Sequence, residues 1–287
     1  AINGWDTSNV VSLAGTFFSA HKFNQPIGNW NTEKNEYMQY MFTSDYIEYV
    51  SNSLNYCKFN QDINGWKTSK VITFARAFYR NEAFNQPLDN WDTSKVTSFS
   101  YMFAGASAFN NNVSTWDTSQ VTYMFDMFDF DSSLDPKFNQ GIEEWDVSSV
   151  VGMASMFENA KAFNQALDIW NVQSVTNMGY MFDRAQVFNQ CLSTWAKKTN
   201  IVFTYKMFIE TLCPCLDENI GECLEGSPNP YDGPWCQTAD TCPGGELKCE
   251  DNSKVQFKVP NNNGKKKNKK CSKIKEKDCG TTFKFKK

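Results

Sequence analysis

The chain has 287 residues, 41% hydrophobic and 15% aromatic, with 28 basic and 32 acidic residues and a net charge of −4. No apolar run approaches the roughly 18 to 20 residues that cross a bilayer, so no helical membrane span is expected. A single histidine leaves too little for a histidine metal centre or a Ser-His-Asp hydrolase.

The chain begins at Ala1 with no charged stretch followed by an apolar one, and reads as a mature or excised piece. From there it is a repeat. Trp5, Trp30, Trp66, Trp91, Trp116, Trp145, Trp170 and Trp195 are spaced by 25, 36, 25, 25, 29, 25 and 25 residues, and the motifs stay in phase across the two longer gaps. Counted from Trp, each unit carries Asp-Thr-Ser, Val at +5, Met or Phe at +8, Met at +11, Phe at +12, Ala at +15, Phe-Asn-Gln at +18 to +20 and Ile or Leu at +22. The 3- and 4-residue spacing from +5 to +18 mimics an amphipathic helix. The turn residues break it in every unit, however, and one unit alone cannot bury so many large side chains. Stacked coils can, with Phe on Phe and Trp on Trp.

The expected architecture is a right-handed repeat solenoid, leucine-rich-repeat-like, of about eight coils over 1–212. It should have short parallel strands near +19 to +24 and near Val-Thr-x-Met, and a short helical turn at Met-Phe-x-x-Ala. Phe109, Phe138, Phe163 and Phe188 should form one buried column, and Trp91, Trp116, Trp145 and Trp170 another. The Asn after each Phe should form a ladder bonding the neighbouring coil's backbone, and Asp-Thr-Ser should close a turn.

Candidate sites follow in chain order. His21 occupies a variable coil position and reads as structural. Insertions at 43–57, bearing Tyr46, Tyr49, Tyr56 and Cys57, and at 129–137 leave the coil just after Met-Phe, so they should project from one face, either as binding loops or as tolerated surface loops. Asn112-Val113-Ser114 is a glycosylation sequon at a position expected to be exposed. Asp89, Glu143 and Asp168 share position +23, and Asp6, Asp92, Asp117 and Asp146 follow Trp. They suit a solvated stripe and turn caps better than a calcium ladder or a glycosidase pair. No cofactor or metal is expected. Cys57 and Cys191, five coil steps apart, should not bond to each other.

Past residue 212 the composition changes. Residues 1–212 carry 14 basic and 21 acidic side chains, 213–251 carry one against nine, and 252–287 carry 13 against two. Cys213, Cys215, Cys223, Cys236, Cys242, Cys249, Cys271 and Cys279 read as four bridges closed within a small disulfide-rich module, 213–287, of an oxidising compartment. Its basic loop 264–277 carries Lys265, Lys266, Lys267, Lys269 and Lys270. Without interleaved aromatics that loop suits an acidic polysaccharide, a mineral surface or a neighbouring acidic subunit rather than nucleic acid.

Residues 84–97 (Phe-Asn-Gln-Pro-Leu-Asp-Asn-Trp-Asp-Thr-Ser-Lys-Val-Thr) and 174–182 (Ser-Val-Thr-Asn-Met-Gly-Tyr-Met-Phe) resemble the BspA-like leucine-rich-repeat surface proteins over about 1–208. The resemblance implies a leucine-rich-repeat solenoid on secreted or surface-anchored proteins, adhesion or ligand binding, and no catalytic residues. Cys249, Phe257, Gly264, Cys271 and Cys279 are similar to small cysteine modules of microalgal secreted proteins. The expectation is a secreted or cell-surface, non-enzymatic binding or adhesion protein whose partner is a protein or an acidic polysaccharide. The alternative is a structural subunit that self-associates head to tail into an extracellular filament or matrix.

Overall fold

The computed structural model describes residues 2–44, 56–192, 194–195, 203–213 and 236, together with the backbone of 256–260 and 266–270. Two units are present, Ala1–Gln237 and Thr238–Lys287. In the first, a short 3-10 turn, Ile2–Gly4, leads into the coils. One residue per coil then pairs in parallel with its counterpart in the next: Ser12, Tyr37, Thr73, Ser98, Tyr123, Gly152, Asn177 and Phe203 form a single file of bridges.

These bridges sit where Val-Thr-x-Met leads to expect a strand, but each is a single residue wide. From there alternate amides reach to the next coil. Leu13, Gly15, Phe17 and Ser19 donate to the carbonyls of Tyr37, Gln39, Met41 and Thr43 at 2.8–3.0 Å. The intervening amides of Thr16, Phe18 and Ala20 close on Leu13, Gly15 and Phe17, three residues back in their own coil. This alternation places a residue with left-handed backbone at +10 (Tyr40, Arg76, Tyr101, Asp126, Ser155, Tyr180, φ 53–60°) and another at +14 (Ser19, Arg80, Asn159, Arg184). The helical turn expected at Met-Phe-x-x-Ala is therefore replaced. Amides that would bond four residues back bond sideways instead, which offsets the roughly 1 kcal/mol that each left-handed residue costs. At Gly105, the +14 residue of its coil, φ is +73° and an added Cβ would stand 3.2 Å from Arg80 Cα. The coils of Trp30 and Trp116 lack the left-handed +14 residue, having Ser44 and Phe130 there. These are the two coils with insertions. Backbone pairing continues through Ser44, which donates to Tyr79 O, and Phe130, which donates to Glu158 O. Both insertions thus start later than 43 and 129.

The core is two interleaved files of phenylalanine. The +12 rings (Phe17, Phe42, Phe78, Phe103, Phe128, Phe157, Phe182, Phe208) stack coil to coil at 5.5–5.8 Å. Each of the first seven also lies 3.8–4.0 Å from the +18 ring of its own coil. Phe109, Phe138, Phe163 and Phe188 continue one another at 6.0–6.2 Å, and Trp116, Trp145, Trp170 and Trp195 at 6.2–6.5 Å. Val at +5 and Met at +11 fill the space between them, all fully buried from Val71 and Met102 to Met181.

Polar side chains fasten neighbouring coils where a strand is expected at +19 to +24. In each pair from Asn24 to Asn189, the Asn Oδ1 accepts the backbone N–H of the next coil's Asn at 2.9–3.1 Å. The same oxygen accepts the amide of the following Gln (or Asn111) at 2.7–3.0 Å. A side-chain ladder thus replaces the backbone pairing. Each indole N–H from Trp66 to Trp195 donates to the carbonyl of the Ile, Leu or Val three residues before the preceding Trp at 3.0–3.2 Å. In the other direction, the hydroxyls of Thr7, Thr32, Thr68, Thr93 and Thr118 donate to the next coil at 2.9–3.0 Å. Asp6, Asp92, Asp117 and Asp146 accept the N–H of the serine two residues on. The serine hydroxyls first, and these N–H bonds second, hold the Asp6, Asp92 and Asp146 carboxyls below the usual range.

Asn110→Ala removes the acceptor for both Asn139 N and Gln140 Nε2, and about 1 kcal/mol of stability should go with it. Asn110→Asp, which keeps the acceptor, should unfold in urea close to wild type. An equal loss in both variants would contradict the ladder.

Cys213 is bonded to Cys236, which is buried against the coil core. Cys57 is free, so it is not joined to Cys191. Cys191 is nevertheless disulfide-bonded, which corrects the expectation of four bridges closed within 213–279. In the second unit, β1 (Gln256–Pro260) pairs antiparallel with β2 (Lys266–Lys270), Gln256 opposite Lys270 and Pro260 opposite Lys266. Lys266, Lys267, Lys269 and Lys270 are therefore strand residues, where a loop was expected.

Candidate interaction face

The repeat points Val, Met, Phe and Ala of each coil inward, so the residues between them, at +6, +7, +9, +10, +13 and +14, make one outer face over the bridge file. Here the sequence does not repeat, and here the interface-type residues collect. Seven of the chain's 11 tyrosines lie on it, as do all three arginines: Tyr37, Tyr40, Tyr79, Tyr101, Tyr123, Tyr180 and Tyr205, with Arg76, Arg80 and Arg184. Most large apolar side chains left exposed among the described residues are also here, among them Val11, Phe18, Tyr40, Ile72, Tyr123, Val151, Phe203 and Tyr205.

Small residues let the aromatics lie flat. A Cβ on Gly152 would meet the Phe125 ring at 2.1 Å, and one on Gly179 would meet the Phe203 ring at 2.6 Å. The Phe125 ring stacks on Tyr123 at 5.6 Å. The Arg76 guanidinium lies 4.3, 5.3 and 5.7 Å from the rings of Tyr101, Tyr79 and Tyr40. Lys206 Nζ lies 5.3 Å from the Tyr205 ring and 6.0 Å from that of Tyr180. These cations meet the negative faces of the rings.

Beside the aromatics, on the coils of Trp116 to Trp195, runs a file of acids: Asp126, Asp129, Glu158, Asp183 and Glu210. Burial, then the charges of Glu158 and Asp126, pushes the Asp129 carboxyl up to about 8. Burial also raises Asp126, to about 6, against a hydrogen bond donated by the Tyr101 hydroxyl. Asp183, 2% exposed, is likewise raised by burial to about 6 despite Arg184 alongside at 3.3 Å.

Of the sequence-predicted site residues, Tyr46, Tyr49 and Lys265 lie outside the described residues. Tyr56 is half-buried, 5.6 Å from the Arg80 guanidinium, and its hydroxyl donates to Glu82. Burial, then the charge of Glu82, raises its pKa. The second insertion is drawn down by Lys161, whose ammonium donates to the carbonyls of Ser132 and Leu134 at 2.7 and 2.8 Å. Asn112 is exposed, and its Oδ1 accepts Ser114 N at 2.9 Å. His21 Nδ1 stands 3.1 Å from Ser44 Oγ, and Ser44 is 1% exposed, which closes that hydroxyl to a substrate. Asp89 accepts from Asn64 Nδ2 and Asp168 from Thr194 N, so both serve the stack. The face itself escaped the sequence reading, although tyrosine and arginine falling only between the repeated positions is a signal that could have found it.

Among the described residues, no helix is long and apolar enough to cross a membrane, and no group of three or more His, Cys, Asp and Glu could hold a metal ion. No curated protein and no solved structure matches the chain. A protein-family model described as "Mycoplasma protein of unknown function, DUF285" matches three times, over residues 1–46, 45–136 and 133–213. With these matches covering most of its length, the chain belongs to that family of repeat proteins.

Proposed function

We propose that the chain is a secreted or cell-surface protein, a solenoid of leucine-rich-repeat type without enzymatic activity, that binds a protein partner through the face over the bridge file. One observation carries this reading: among the described residues every exposed aromatic but Trp5, and all three arginines, lie on a face that the repeat leaves free to vary. Tyrosine and arginine are the residues that dominate binding energy at protein interfaces. The acids of the later coils disfavour an acidic polysaccharide there. Disulfides at Cys191 and Cys213 support an oxidising compartment.

The test is binding of labelled chain to intact cells of the parent organism. Tyr40, Tyr123 and Tyr205 are 40%, 45% and 41% exposed, so changing all three to alanine should spare the fold. The triple variant should lose about tenfold or more in affinity. Trimming the first insertion, residues 45–55, should leave binding in place. Loss on trimming with none in the triple variant would move the site to the insertion.

A further inference from the structure

We propose that the later coils of this face, those of Trp116 to Trp195, dock an extended lysine-rich segment of another polypeptide. The inference rests on reading the face as a binding surface and names the chemistry of its partner.

The face already holds cations where the chain supplies them. Arg76 is caged by Tyr40, Tyr79 and Tyr101, and Lys206 lies over Tyr180 and Tyr205. Between these two places the coils of Trp116 and Trp145 present the same ingredients, exposed Tyr123, Phe125 lying across Gly152, and Asp126, Asp129 and Glu158. Among the described residues no ion pair reaches those three acids. The nearest lysine in sequence, Lys161, spends its ammonium on the carbonyls of Ser132 and Leu134.

Two deeply buried acceptors adjoin the file. Asp183 Oδ1 and Asn159 Oδ1 belong to residues 2% and 5% exposed and have no hydrogen-bond partner. Asp183 is near enough to Glu158 for that charge to raise it, and its carbonyl accepts Asn159 N at 2.7 Å. Both lack a donor, which an acidic or neutral acceptor ligand could not provide.

Lysine fits both halves of the surface. Its four-carbon stem can lie over the flat rings of Phe125, Tyr123 and Phe203 while its ammonium reaches the carboxylates. A guanidinium would match a bidentate carboxylate better. The acids here are spread over neighbouring coils, Asp126 and Asp129 on that of Trp116 and Glu158 on the next, a spread that suits point charges on flexible stems.

The experiment measures anisotropy of a fluorescein-labelled lysine octapeptide titrated with the full chain at low salt and about pH 9, where Asp129 has lost its proton and lysine keeps its own. Asp129→Asn with Glu158→Gln should weaken binding about tenfold or more, and Tyr123→Ala should weaken it severalfold. The control pair, Asp117→Asn with Asp146→Asn, removes the same charge from the same two coils at the turn caps. Asparagine already fills that role at Asn31 and Asn171, so the control should fold, and it should bind like wild type. Equal weakening by both pairs would reduce the effect to net charge and overturn the proposal, as would absence of binding. Tyrosine-dependent cell binding by a chain that ignores the octapeptide would overturn the lysine ligand and leave the face reading standing.

Discussion

Phe103→Ala should lower stability by about 3–5 kcal/mol, the largest single-residue loss expected in this protein. Phe103 is fully buried and has four ring partners: Phe109 at 3.9 Å in its own coil, Phe78 and Phe128 at 5.5 and 5.6 Å on either side, and Trp116 at 6.3 Å. No neighbour can collapse into the gap, because each is tied to its own file by rings above and below. The loss should also change the shape of the transition. A stack couples only nearest neighbours, so a weakened interface in mid-stack lets the earlier and later coils unfold apart, and the urea dependence should become shallower. Phe18→Ala, at 44% exposure on the outer face, is the control and should cost well under about 1 kcal/mol. Equal losses at the two sites would refute the two-file core.

Wild-type stability should fall as pH rises from about 4 to about 8, and Asp129→Asn should flatten that fall. The folded Asp129 carboxyl keeps its proton to about 8, pushed up by burial first and by Glu158, Asp126 and Asp131 around it. The unfolded carboxyl loses its proton near 4. Between these values the native state binds more protons than the unfolded one, so its advantage shrinks with each step of pH. Above about 8 both states are ionised and the effect levels off. Asp126 and Asp183, each at about 6, add to the fall in the lower half of the window. The capped carboxyls of Asp6, Asp92 and Asp146 act oppositely, losing their contribution as pH drops below the normal aspartate value. The optimum should therefore sit near pH 4, with Asp129→Asn more stable than wild type at pH 9 by on the order of 3 kcal/mol. Urea midpoints at pH 5, 7 and 9 decide it. A wild-type midpoint that rises with pH would show that these acids are ionised at no cost.

The files of Phe103, Phe109 and Trp116 were legible in the sequence because each demands one large apolar residue at a fixed place in every coil. The ladder of Asn110 and its counterparts was legible for the same reason. What was not legible is the path of the backbone between these points. Left-handed residues usually announce themselves as glycine, but here the +10 and +14 places hold Tyr101, Arg76, Asp126 and Arg184, chosen for what they present outward. Among the described residues only Gly15 and Gly105 betray the conformation. The sideways amide bonds that compensate the strain belong to the neighbouring coil, and no local propensity encodes them. The outer face was missed because its places do not recur, and a search for recurrence passes over what varies. Cys191 looked solitary among the coils because the 25-residue period gave no reason to pair it outside them.

The ladders of asparagine, tryptophan and threonine all run lengthwise, from one coil to the next. Tension applied along the stack would therefore load these bonds end-on, and an end coil should peel before an interior one. Each coil without an insertion that lets go frees 25 residues, about 85 Å of extended chain, and the coils of Trp30 and Trp116 free 36 and 29. A tether built this way yields in near-equal steps, one coil at a time, and the bridge between Cys213 and Cys236 closes a loop of chain next to the last coil that cannot be paid out. Anchored at both ends, the protein would lengthen under load as a graded shock absorber.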